Sequence, residues 1–234
     1  MIYKKIVKVV CLSLALIMMI GVCGCMQKNP FSIDDCISYM EDKYGEPFEY
    51  IEPFDNEQPT ARTLKIYVES KSYPDSKVLV VAELIGNEIV FHDNYIGIVY
   101  ESKTFDTLYS LASSTYGDCK LIYSVDNIYF LPDEFNGNTG FEEYISNLNS
   151  NIRLNILLPP NHSHDRKEDE LDKFGKQLCS AKIACSCNIY YTTDEAVYNA
   201  IEKSDEMYQY DNWYISNGYI KINESYEVVE TTWR

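Results

Sequence analysis

Apolar spacing along this chain switches between a helical and a strand period repeatedly and in no fixed order, and that irregularity limits the available folds more than any other feature. Ser32 and Asp35 have capping-box spacing, Ile33, Ile37, Met40 and Tyr44 follow at helical intervals, and Gly45 and Pro47 stop the segment. Phe48–Ile51 and Leu64–Val68 read as strands, Ser72-Tyr73-Pro74-Asp75-Ser76 as a turn, and Lys77–Ile85 with Glu88–Phe91 as a hairpin about Gly86-Asn87. Tyr95–Tyr100 reads as further strand. A second helix opens at Thr104, with Phe105, Leu108, Leu111 and Ala112 on one face, and strands follow at Lys120–Val125 and Ile128–Leu131. Thr139 with Glu142, and Thr192 with Glu195, repeat the capping-box spacing ahead of two more helices. Between them lie the apolar strand Ile152–Leu158, the charged helix Arg166–Leu178 with its seam of Leu171, Phe174 and Leu178, and the alternating run Ala181–Tyr191. Trp213–Ile215, Tyr219–Ile222 and Val228–Thr232 read as three closing strands. The pattern predicts an α+β fold: a mostly antiparallel sheet with about five helices packed on it, not a regular parallel wind.

The first residues stand apart from this pattern. Lys4, Lys5 and Lys8 form a basic head, and the fourteen residues Val9–Val22 carry no charge. A spanning helix needs about 20 apolar residues, so the segment reads as a secretory signal over residues 1–24. Val22-Cys23-Gly24-Cys25 resembles the bacterial lipobox, with an aliphatic residue three before a cysteine and a small residue directly before it. Cys23 departs from the usual middle residue but is small. The resemblance implies that the Cys25 thiol takes a diacylglyceryl group, with acyl chains of the palmitate class, and becomes the mature N-terminus. Residues 25–31 are then a lipidated tether and residues 32–234 a single extracytoplasmic domain on the outer face of the plasma membrane.

Removal of three lysines with the signal leaves 17 basic against 36 acidic residues, a net charge of −19. That excludes a nucleic-acid binder, which needs a basic face. It also excludes electrostatic attachment to anionic lipid, whereas two acyl chains anchor without such help. Of the eight cysteines, Cys11 and Cys23 leave with the signal and Cys25 is alkylated. Cys36, Cys119, Cys179, Cys185 and Cys187 remain, an odd set whose spacing is not a disulfide framework.

No nucleophile elbow, zinc-protease motif, P-loop, dinucleotide fingerprint or EF-hand occurs, so no catalytic residue, cofactor or metal ligand is assigned. Four weaker groupings remain. His162-x-His164 with Cys179, Cys185 and Cys187 has metal-type ligands, but Cys185-x-Cys187 is also the spacing of two core thiols on one strand face. Asp133, Glu134, Asn136 and Asn138 offer close-spaced oxygens, as does an ordinary turn. Cys119, or a thiol of the 179–187 group, with His92 or His162 is a formal thiol–imidazole pair. Tyr208, Tyr210, Trp213, Tyr214 and Tyr219 cluster in a chain already rich in tyrosine, with 21 in all. Asp205, Glu206, Asp211 and Asn212 give that cluster a polar rim, the anatomy of a recognition patch. The same rings also suit a packed strand.

Tyr39-Met40-Glu41-Asp42-Lys43-Tyr44-Gly45, Asp93-Asn94-Tyr95, Phe141-Glu142-Glu143-Tyr144 and Pro159-Pro160, in that order, resemble small uncharacterised lipoproteins of low-GC Gram-positive bacteria. That group has no activity to carry over. The first functional reading is a membrane-anchored, non-enzymatic module that binds a protein or cell-wall polymer through Tyr208, Tyr210, Trp213 and Tyr214. The second is an extracytoplasmic hydrolase with an unrecognised site. A solute receptor is disfavoured, since it needs two α/β lobes.

Overall fold

The computed structural model describes residues 30–56, 59–60, 62–125, 131–132, 134–148, 151–204 and 206–234. The signal, Cys25, most of the strand expected at Ile128–Leu131, and Asp133 lie outside the described residues.

The chain opens with helix α1 (Ile33–Tyr44), which starts where the sequence places it. Ser32 Oγ accepts from the Asp35 amide and the Asp35 carboxylate accepts from the Ser32 amide, so the capping box is complete. Gly45, in the left-handed conformation, ends the helix by donating to the Glu41 carbonyl. Four strands follow as an antiparallel meander in the order β1 (Phe48–Pro53), β2 (Thr63–Ser70), β3 (Tyr73–Ile85) and β4 (Glu88–Asp93). Strand β2 alternates between half-buried and buried along its length, the period-2 signature of a sheet with one covered face. The turn expected at Ser72–Ser76 lies earlier. Ser70 pairs with Tyr73 across the two-residue turn Lys71-Ser72, and Pro74-Asp75 already belong to β3.

After β4 the chain turns instead of extending. Tyr95–Val99 is a short helix, α2, because Asp93 Oδ1 accepts from the Tyr95 amide and the Asn94 carbonyl accepts from Gly97 and Ile98. Helix α3 (Glu101–Tyr116) leads into a five-stranded sheet. Its elements in chain order are β5 (Lys120–Val125), α4 (Phe141–Ser146), β6 (Ile152–Leu158), α5 (Lys167–Ser180), β7 (Cys185–Thr192), α6 (Glu195–Ala200), β8 (Tyr214–Ile222) and β9 (Val228–Trp233). Sequence order is also spatial order, and among the described residues β6–β7 is the one parallel pair in the two sheets. The α+β expectation therefore holds, with two sheets in place of one and six α-helices among the described residues. Two of the three expected closing strands are a single strand, since β8 runs straight through Asn217-Gly218.

Each sheet has its own core. Cys36, Met40, Val68, Val80 and Tyr95 lie in the first, and Leu154, Ile156, Phe174, Cys187 and Ile220 in the second. The cores meet at α2, where Tyr95 enters one and Ile96 the other. Helix α5 packs so closely on the second sheet that a Cβ at Gly175 would stand 2.4 Å from Ile220 Cδ1. The join β6–α5–β7 is thus a strand–helix–strand unit, and it decides which end of the sheet gathers polar and aromatic groups.

Candidate functional site

Buried polar groups are the first place to look for chemistry. Asp93, whose side chain is fully buried, accepts from Tyr39 Oη (2.9 Å), Lys43 Nζ (2.8 Å), Tyr44 Oη (2.7 Å) and the Tyr95 amide (2.9 Å). A carboxylate has about four lone-pair sites, so this one is saturated. It clasps α1 to the end of β4 and has no capacity left for a ligand. Next to it, Glu46 accepts from Ser70, Ser72 and Tyr95. Burial opposes its charge, but the bonds from Ser72, Tyr95 and Ser70 outweigh that effect and hold Glu46 below the usual carboxylate range.

The thiol groupings do not assemble. Cys185 stands opposite Ile152 at the start of the parallel pair, while His162 and His164 follow Leu158, which stands opposite Tyr191 at its far end. A strand of this length spans roughly 20 Å, which separates the histidines from Cys185. His92 sits on β4, in the other sheet. His162 Nε2 is engaged 3.0 Å from Glu170 Oε2 and not with a thiol. Burial, then the nearby Asp118, pushes Cys119 up to about 11. Burial, then Cys179, pushes Cys185 up to about 12. At neutral pH both are neutral thiols and neither is an activated nucleophile. Among the described residues no group of three or more His, Cys, Asp or Glu side chains is placed to hold a metal ion. In the acidic loop, Asn136 Oδ1 accepts from the Asn138 amide and Asn136 Nδ2 donates to the Glu134 carbonyl, so its side chain serves the turn.

What the fold does bring together lies at the carboxyl end of β6 and β7. Consecutive residues of a strand face opposite ways, so Tyr190 and Tyr191 supply one ring to each side of the sheet. Tyr191 is buried on the α5 side, stacked on His164 with ring centroids 4.1 Å apart and 5.8 Å from Trp233. The Trp233 indole lies directly on Gly218, where a Cβ would stand 2.6 Å from the ring, and this contact requires glycine. The His162–Glu170 pair has the form of an acid–base unit. Its neighbours Tyr116 and Tyr191 have phenols that burial pushes well up, so they are neutral and serve as neither base nor nucleophile.

On the other side, Tyr190 packs 4.6 Å from Trp213 and 5.2 Å from Tyr214. Trp213 is only 7% exposed and packs with Leu157, Tyr198, Ile201 and Met207. It is a core residue and not the exposed anchor that its sequence neighbourhood predicts. Tyr210 is partly buried against the same cluster. Tyr208 lies in the 3-10 turn Glu206–Gln209, and its side chain is outside the described set. Tyr219 is half-buried on β8. Among the described side chains of the set Tyr214 is the exposed one, at 42%, and next to it Ile215 reaches 64%. The register explains this pair. Tyr191 stands opposite Ser216 and Thr192 opposite Tyr214, so Ile215 is the extra residue of a β-bulge. A bulge bends the strand and re-aims its side chains, which is how two successive residues both face solvent. Sequence reasoning missed Ile215, Tyr190 and Tyr191. The double tyrosine at the end of an alternating run was the available signal for the last two.

No family model matches this chain, and no curated protein matches it in sequence. Among solved structures, a DUF5037 family protein from Ruminococcus gnavus ATCC 29149 is similar at 14% identity and a TM-score of 0.40, over 84% of this chain and 94% of that one.

Proposed function

We propose that this chain is a lipoprotein anchored through Cys25 on the outer face of the plasma membrane, and that its domain is a binding module whose recognition surface is the Tyr214–Ile215 step. The observation that carries the reading is the bulge: it presents a tyrosine and an isoleucine to solvent on a base of buried Trp213 and half-buried Tyr190. A rigid ring with a polar tip, backed by fixed neighbours and rimmed by Asp211 and Asn212, loses little entropy on capture. The partner class is a protein or a cell-wall polymer. The hydrolase reading is weaker, because the acid–base pair His162–Glu170 is roofed by buried neutral phenols.

The test uses the mature lipoprotein in detergent micelles, with partners recovered from cell-envelope extract and affinity then measured on the purified partner. Tyr214→Ala should weaken binding by about 2 kcal/mol or more with no change in melting temperature. Trp213→Ala should destabilise the fold by roughly 3–5 kcal/mol. Unchanged affinity for Tyr214→Ala and Ile215→Ser together would remove the proposal. Cys25→Ala should release the protein from the membrane fraction; intact mass showing an unmodified Cys25 in membrane-extracted protein would refute the anchor.

A further inference from the structure

The two cores meet at α2, and the same junction holds a cavity of about 260 Å³ between α2, the start of α3, β5 and α4. All nine residues that line it belong to the described set. Drug-sized ligands need about 300–1,000 Å³, so this space suits a smaller molecule. Ile98, Val125 and Leu131 supply apolar wall, with the Tyr123 ring beside them. Alternation along β5 turns the Ser124 side chain to the face opposite Tyr123 and Val125, so its share of the lining is main chain. Tyr123 Oη is spent on the Glu101 carbonyl, at 3.0 Å.

Three polar side chains remain. Tyr144 is only 2% exposed, and its ring is held by Tyr100, Phe135 and Phe141, with centroids 5.3, 6.3 and 6.5 Å away. Its hydroxyl reaches the cavity beside Gly97 and makes no hydrogen bond to any described residue. Burial, then Tyr123 and Glu101, pushes this phenol up, so it is neutral and free to donate. A buried hydroxyl without a partner is costly, and an acceptor in the cavity satisfies it. Asn94 Oδ1 accepts from the Leu79 amide at 2.8 Å, which fixes that side chain and leaves Nδ2 as a second donor. Glu101, exposed at the rim, is the one charged residue of the lining. Lys103, two residues on, lies over the Phe141 ring, 4.3 Å from its centroid.

We infer that this cavity binds a small monocationic amine with a short apolar body and an uncharged acceptor, the chemistry of an amino-acid amide. The ammonium meets the Glu101 carboxylate. The apolar body packs on Ile98, Val125 and Leu131, and the carbonyl accepts from Tyr144 Oη and Asn94 Nδ2. A free carboxylate in the carbonyl's place would find only neutral donors, near Glu101 and on a mature chain of net charge −19. The site shares no residue with the Tyr214–Ile215 step and holds whether or not that step binds.

The experiment is calorimetric titration of the full mature chain in detergent micelles with leucinamide. It is run at about pH 6, below the α-amino range of about 7.7–8.0, so the amine is charged. The expected result is saturable one-to-one binding. 4-Methylpentanamide lacks the ammonium, glycinamide lacks the apolar body and leucine adds a carboxylate; each should bind at least tenfold more weakly. Glu101→Gln should cost at least tenfold, and Tyr144→Phe at least threefold, with unchanged melting temperatures. A Cβ at Gly97 would meet only the Tyr144 hydroxyl, at 3.4 Å, so Gly97→Val fills the cavity and should abolish binding without unfolding the chain. Tyr214→Ala should leave leucinamide binding unchanged. No saturable binding of leucinamide would overturn the inference. So would equal binding of 4-methylpentanamide or of leucine, or unchanged affinity in Glu101→Gln.

Discussion

Asp93 shows how a residue that looks like chemistry becomes architecture. Four donors reach one fully buried carboxylate, and one of them is the Lys43 ammonium. Removing one member of such a set costs more than the set contributes, because the partners keep their desolvation penalty. Asp93→Ala should destabilise the protein by about 3 kcal/mol or more in denaturant titration. Adding Lys43→Met should recover part of that loss, since the stranded charge is gone, and a double mutant no better than the single would disprove the coupling. Single residues also explain why only one of three capping boxes in the sequence is real. Ser32 and Asp35 cap each other. The Thr139 hydroxyl instead accepts from the Asn136 amide, and the Thr192 hydroxyl donates to the Leu158 carbonyl across the parallel pair. The motif spacing was present each time, but a nearer partner had satisfied the hydroxyl, and local sequence does not reveal that partner.

Elements were more legible where their period was long and uninterrupted. The seam of Leu171, Phe174 and Leu178 is buried on α5 as read, and β2 alternates as read. Tyr95–Tyr100 failed because Asp93 and Asn94 turn the backbone into α2, and β8 was split in two at residues 216–218, where Gly218 in fact seats Trp233. At the candidate site, the aromatic region was legible but its exposed face was not, since a one-residue bulge decides it. Contacts between elements also predict an acid response. Glu46, beside the start of β1, accepts from Ser70 and Ser72 at the β2–β3 turn and from Tyr95 on α2. Its folded pKa lies below its unfolded value of about 4.3. The stabilisation is therefore present above that unfolded value and is lost as pH falls through the folded one. Glu46→Gln should lose less melting temperature than the natural chain between pH 6 and pH 3. Parallel acid limbs for the two proteins would show that Glu46 does not contribute.

The whole molecule carries two sheets with separate cores that meet at the short helix α2, and its thiols report on that join. Cys36 is buried in the first core, and Cys185 and Cys187 are buried in the second. Burial, then Asp35, pushes Cys36 up to about 12, and burial acts the same way on the other two, so none reacts from the closed state. Each labels only through opening of its surroundings, and the labelling rate measures the free energy of that opening. The sequence reading of one domain over 32–234 becomes a quantitative statement about these rates. Tyr95 and Ile96 are adjacent on α2 yet sit in different cores, so neither core can open without moving a residue bonded to one that the other core holds. We expect Cys36, Cys185 and Cys187 of the mature chain to label with one common opening free energy and one common denaturant dependence, read by mass spectrometry of the separated peptides. Cys179, half-exposed at the end of α5, should label far faster and serve as the internal reference. If Cys36 opens with a distinctly lower free energy than Cys185 and Cys187, the meander is a separate folding unit and α2 is only a tether between two domains.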